Sequence, residues 1–200
     1  MYLDDIAAYV PRSEEEAADK EMILSYIQQY PDTILTRENK IAHLTASGFV
    51  LSGDGNWVLM AHHNIYRVWA WTGGHADGEG DLLSVALREA REETGAAQIR
   101  PLSPSIASLE ILPVWGHRKR GTYVSSHLHL NVSYLLTADR EGPLTVREGE
   151  NTKVAWLPAD RLTKCTNEWQ MDSVYTRLLN RGRTILSKRK EGPVRSCTEV

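Results

Sequence analysis

The chain has 200 residues, 42% of them hydrophobic and 24% charged, which suits one soluble globular domain with additions and leaves enough apolar surface for a core. A net charge of −3 gives no basic excess, which argues against broad electrostatic binding to a nucleic acid polymer. No apolar run approaches the roughly 18 residues of a membrane span, the acidic N-terminus lacks the apolar stretch of a secretion signal, and Cys165 and Cys197 lie outside metal spacing, so we expect a cytoplasmic protein with reduced thiols.

Ser13 followed by three glutamates predicts an N-cap with acids in the first helical turn, and Glu16 completes a capping box. Ile23, Ile27 and Tyr30, with Met22 and Tyr26 beside them, recur at helical period until Pro31 ends the helix. Residues 1–42 are therefore expected to form a helical extension packed on the core. The added helices leave room for a homodimer.

His43 to Leu51 reads as a strand entering the core. Ser52 to Asn56, with Asp54-Gly55 at its centre, is turn chemistry, and Trp57 to Ala61 returns as the second strand of a hairpin. His62 and His63 lead into a loop and lack a third ligand at useful spacing, so they read as polar loop residues. Trp69 and Trp71 alternate and share one side of a short strand, as core or as a platform on which a base stacks.

The stretch from Gly73 to Gly95, GGHADGEGDLLSVALREAREETG, holds the chemistry. Gly73 and Gly74 let the backbone approach a ligand. Asp81 is an N-cap candidate, and Leu83, Ala86, Leu87 and Ala90 form the expected buried stripe. At about 100° per residue, Glu89, Glu92 and Glu93 fall on one face. Like charges at that spacing, near the negative end of the helix dipole, oppose stability. A hard divalent cation with oxygen ligands reverses the sign. Gly95 suits a left-handed C-terminal cap.

These residues resemble the Nudix box, whose pattern is Gly, five residues, Glu, seven residues, then Arg-Glu-apolar-x-Glu-Glu-x-Gly-apolar. Gly74 stands at the opening glycine, and Arg88, Glu89, Ala90, Glu92, Glu93, Gly95 and Ala96 fill the second half in register. Gly80 stands where the family has its isolated Glu, with Glu79 and Asp81 on either side. The resemblance spans roughly residues 43 to 163. It implies an α/β/α sandwich with a mixed sheet and a domain over 43–189; residues 190–200, basic and then polar, are expected to form a flexible tail. The resemblance further implies Mg²⁺, with Mn²⁺ able to substitute, held by Glu89, Glu92, Glu93 and the carbonyl of Gly73, with Arg88 orienting a glutamate. Before the box, Trp71 is a candidate to line the substrate cleft, as is His75 within it.

After the box, Ser105 to Trp115 and Tyr123 to Leu136 read as strands. Between them Arg118, Lys119 and Arg120 form a basic tip that suits a phosphate tail. His127 and His129 share one strand face, where the absence of a nearby third ligand favours hydrogen bonding over metal. Residues 154–162 resemble the family's closing strand, and Glu150, with Glu148 as substitute, stands where members place a metal-reaching or basic carboxylate. Glu168 to Lys188 predicts a last helix with Met171, Val174, Tyr175, Leu178 and Leu179 on one face.

The resemblance implies hydrolysis of a phosphoanhydride in a nucleoside diphosphate linked to another group. Glu89 or Glu150 would be the base. Two rivals stand beside it: a nucleotide-binding sensor without catalysis, and a prenyl-diphosphate isomerase, disfavoured because no cysteine precedes the box. ADP-ribose-like compounds, dinucleotides, damaged triphosphates and non-nucleotide diphosphates all stay open as substrates.

Overall fold

A computed structural model of the chain describes residues 2–64, 67–119 and 121–191, with the side chains of Lys119, Lys190 and Glu191 left aside. Arg120, the side chain of Lys119 and most of the expected tail, residues 192–200, therefore lie outside the described residues. In chain order the elements are α1 (Tyr2–Ala8), α2 (Glu14–Gln29), β1 (Ala42–Ser52), β2 (Trp57–His63), β3 (Trp69–Ala70), β4 (Thr72–His75), α3 (Leu82–Thr94), β5 (Arg100–Pro101), β6 (Ser108–Val114), β7 (His117–Lys119), β8 (Thr122–Val124), β9 (His127–Ala138), β10 (Asn151–Pro158), α4 (Leu162–Thr166) and α5 (Asp172–Glu191).

The main sheet runs β10-β2-β1-β9-β5, with β3 on β2, β4 on β1 and β6 on β9. β1 and β9 pair in parallel and the other pairs are antiparallel, so the sheet is mixed. One cluster of buried side chains joins α1, α2 and α3 to residues such as Leu44, Ala46 and Val132. The other joins α4 and α5 to Phe49, Leu51 and Met60. Helices thus cover the sheet as in an α/β/α sandwich. β1 along its whole length and most of β9 are buried on both faces because helices cover them. No described helix is long and apolar enough to cross a membrane.

Local chemistry explains the boundaries. The Ser13 hydroxyl caps α2 by accepting from the Glu16 N–H at 3.3 Å. The return half of the expected box is displaced by one residue: Glu16 accepts from the N–H of Arg12, not that of Ser13. That carboxylate is fully buried, where it also meets Tyr9, Ser108 and Arg181. Ile23 and Ile27 face the core as expected, whereas Met22 and Tyr30 are exposed. The β1-β2 turn closes at Gly55, whose φ of +76° requires glycine, and Asp54 accepts from the N–H of Asn56. His62 and His63 end β2 rather than opening a loop, and His62 meets the Thr152 hydroxyl at 2.7 Å.

The face of β1 that carries Phe49 and Leu51 turns polar towards its start, at Thr45 and Ser47. Thr45 and Ser47 donate to Asn131 on β9, which donates to Glu110 on β6. Ser133 also donates to Glu110. Such a buried polar network is stable only when its members are paired.

Candidate active site

β4 and α3 meet through the box. β4 lies antiparallel to β1, with Gly73 opposite Ser47 and Gly74 opposite Ala46. The pleat therefore turns Gly73 and Gly74 to opposite faces. A Cβ on Gly74 would come within 2.5 Å of Cδ of Glu89, so the missing side chain is what admits that carboxylate. The loop into α3 is pinned at several points. Arg37 binds Asp77 through two contacts of 2.8 Å, Gly78 donates to the Leu35 carbonyl, and Asp81 caps α3 by accepting from Ser84. Gly80 leaves its position without a carboxylate, yet Glu79 accepts from the Asp81 N–H at 2.9 Å and so braces the same loop. Gly95 ends α3 at φ +67°.

The acids do not all stand on a face beside the buried stripe. The buried residues of α3 are Leu82, Val85, Ala86, Ala90, Glu93 and Thr94, while Leu83 and Leu87 are half-buried. Glu89 and Glu93 continue the line from Val85 at four-residue steps, so they point inward, and Glu92 stays exposed. Glu93 is only 9% exposed and accepts from the Gly73 N–H at 3.0 Å, with the Asn151 amide at 3.4 Å. Burial pushes its pKa up to about 7, against the opposing pull of those two donors. Glu89 is raised by burial and by the charge of Glu92, partly offset by Arg88 and Arg147.

The loop before β10 brings a residue that sequence reading passed over. Thr145 donates to the Thr94 carbonyl at the end of α3, which hooks the loop onto the helix. Arg147 then reaches Glu92 at 3.0 Å, Glu150 at 3.2 Å and Glu89 at 3.4 Å. One guanidinium nitrogen therefore stands where three carboxylates converge. Arg88 leans on its neighbour Glu89 at 3.5 Å rather than on Glu92. Arg147 had a signal of its own, a cation three residues before Glu150, but nothing local linked it to a helix so far back in the chain.

The remaining candidates lie apart in character. Trp71 is half-buried and meets Tyr175 of α5 edge-on at 5.6 Å, within the second core cluster. Arg118 is exposed near the end of the β7-β8 ribbon, with Gly121 accepting from it at 3.2 Å. His75 sits at the end of β4 beside other histidines.

The family model described as NUDIX domain matches residues 42–179. Comparison with curated proteins gives no significant match. Among solved structures, the chain is similar to a C. elegans Ap4A hydrolase binary complex, at 16% identity and TM-score 0.48, covering 72% of this chain and 98% of that one. It is similar to a NUDIX family hydrolase from Clostridium perfringens at 20% identity and TM-score 0.47, covering 74% and 97%. It is also similar to the NUDIX domain of Shewanella oneidensis NrtR complexed with ADP ribose, at 16% identity and TM-score 0.48, covering 77% and 97%. A box in register, its acids gathered at the glycine turn and a family match over most of the length lead to one conclusion: the chain belongs to the NUDIX family.

Proposed function

We propose that this Nudix-type pyrophosphohydrolase uses Mg²⁺, or Mn²⁺ in its place, to cleave a phosphoanhydride in a nucleoside diphosphate linked to another group. The observation that carries the reading is the convergence of Glu89, Glu92 and Glu150 on one cationic nitrogen of Arg147, with Glu93 held behind them by the Gly73 N–H. A site that draws a guanidinium among three carboxylates suits a hard cation with oxygen ligands. Glu89, Glu92, Glu93 and the Gly73 carbonyl would hold it. When bound, such an ion neutralises phosphate charge and acidifies water.

The chain's own residues do the rest. The Gly73 N–H fixes the rotamer of Glu93, and Arg88 restrains Glu89. Glu150 or Glu89 takes the proton of the attacking water. Glu89 is half-buried, and burial with the charge of Glu92 raises its pKa. Arg118, Lys119 and Arg120 bind the outer phosphates, and Trp71 contacts the rest of the substrate. The same reading takes the domain as 43–189 with 1–42 as its helical extension, in a cytoplasmic protein acting on a small molecule. ADP-ribose-like compounds, dinucleotides, damaged triphosphates and non-nucleotide diphosphates are its substrate classes.

Glu93→Gln tests the reading. Turnover of a diphosphate panel with Mg²⁺ should fall by at least about a hundredfold while circular dichroism and the melting temperature hold. Unchanged turnover would remove the assignment. Metal-dependent nucleotide binding by the unaltered protein, with no product released across the panel, would instead favour a sensor.

A further inference from the structure

Four histidines from three strands meet on the sheet, in a set distinct from the box acids. His43 lies on β1, His75 on β4, and His127 and His129 on β9. One ligand nitrogen from each lies within 4.8 Å of the other three. The register produces this. His43 is directly opposite His129 across the parallel β1-β9 pair, and His75 is opposite Thr45, two residues along the same face of β1 as His43. His127 is two residues before His129 and so shares its face. Ring centroids are 5.0–5.3 Å apart for the close pairs.

The protons are placed for ligation. Nδ1 of His43 is 3.0 Å from the Asn39 carbonyl, and Nδ1 of His127 is 2.8 Å from the Ser125 carbonyl. A carbonyl only accepts, so each Nδ1 carries the proton and each Nε2 keeps its lone pair. A backbone carbonyl on the far nitrogen is the usual support of a metal-bound imidazole. His43 is 4% exposed, and its Nε2 is buried without a hydrogen-bond partner. A buried acceptor left this way is costly unless something fills the space. The Nε2 atoms of His127 and His129 are 3.3 Å apart. Two nitrogens bound to one tetrahedral ion at about 2.0–2.1 Å are separated by about 3.3–3.4 Å.

We infer that these four imidazoles form a second metal site, for a late first-row divalent ion such as Zn²⁺, structural in role. An all-imidazole set suits Zn²⁺, Cu²⁺, Fe²⁺ or Ni²⁺ and is a poor match for Mg²⁺, which prefers oxygen. Four protein ligands close a tetrahedral shell, which is the structural rather than the catalytic arrangement. The ion would tie β4 to β1 and β9. β4 is four residues long and pairs with β1 along one edge, yet it carries Gly73 and Gly74. A clamp at His75 would hold the strand that positions Glu89 and Glu93. The site itself does not depend on the hydrolase reading.

The test is a Co²⁺ titration of the metal-stripped full chain in excess Mg²⁺, which occupies the carboxylates. One equivalent of Co²⁺ should give the visible bands of a tetrahedral nitrogen site, Zn²⁺ should displace it, and Zn²⁺ should raise the melting temperature. His127→Ala, at the half-buried start of β9, should weaken Co²⁺ binding by at least about tenfold, with the metal-free fold checked by circular dichroism. Glu93→Gln should leave the bands in place, whatever it does to hydrolysis. No stoichiometric Co²⁺ or Zn²⁺ binding under Mg²⁺ would overturn the site. So would bands that survive both His127→Ala and His75→Ala and vanish in Glu93→Gln.

Discussion

Gly74 matters for what it lacks. Its Cβ would fall within 2.5 Å of Cδ and 2.7 Å of Cγ of Glu89, both in a side chain that can swing away. Gly74→Ala should therefore displace the carboxylate while sparing the fold: stability within about 1 kcal/mol of the parent in urea, turnover down by about tenfold or more. Gly73→Ala differs, because its Cβ would press on the backbone carbonyl of Ala46 at 2.9 Å, so stability should fall as well. Arg147 is the other informative residue. Its contacts with Glu89, Glu92 and Glu150 are partly solvated, so their loss should cost only about 0.5–1 kcal/mol. A guanidinium among the acids competes with a bound cation. Arg147→Gln should therefore lower the Mg²⁺ concentration needed for half-maximal activity by a few fold, as a Mg²⁺ titration would read.

At the scale of elements, α2 is fastened through Glu16. Burial alone would raise the pKa of that carboxyl. The Arg181 guanidinium, the Arg12 N–H and the Tyr9 and Ser108 hydroxyls outweigh burial and hold it at about 2, below its ordinary 4.5. A depressed carboxyl stabilises the folded state above its unfolded pKa and loses that contribution as protons bind. Stability should thus decline from about pH 4.5 towards pH 2, by roughly 3 kcal/mol from this group. Urea midpoints against pH would show it, and Glu16→Gln should flatten that part of the curve. The capping box at Ser13 was legible because its pattern is local. That Glu16 would spend its second oxygen on Arg12 and its charge on α5 was not. Those partners depend on where α5 lies. The same holds for α3. Its caps, Asp81 and Gly95, were readable, but its buried stripe includes Glu93, which a hydrophobic pattern assigns to the outside.

At the scale of the molecule, α5 approaches the sheet closely at Gly182. A Cβ there would overlap Cδ1 of Leu51, a buried side chain of β1. Gly182→Leu should destabilise by about 1–3 kcal/mol through overpacking, measured by chemical unfolding, although leucine is the better helix former. Helical period marked Met171, Val174, Tyr175, Leu178 and Leu179 as one apolar face; the last four are buried in α5, whereas Met171 precedes the helix and is half-buried. The period carried no information on which strand they would meet. α1, α4 and the β7-β8 ribbon were not foreseen as separate elements, being too short for a periodic signal.

What the sequence alone determined is what short spacing carries: the box, its helix, the caps, the first hairpin and the family that follows from them. Only the tertiary structure decided what lies across strands. Read along the chain, His127 and His129 lack a third ligand. The parallel register of β1 on β9 supplies His43, and the β1-β4 register supplies His75. Arg147 likewise meets the box acids only after its loop docks on Thr94. A one-residue slip in either pairing would send these side chains to the opposite face, and register is set by the packing of the whole sheet rather than by neighbours in sequence.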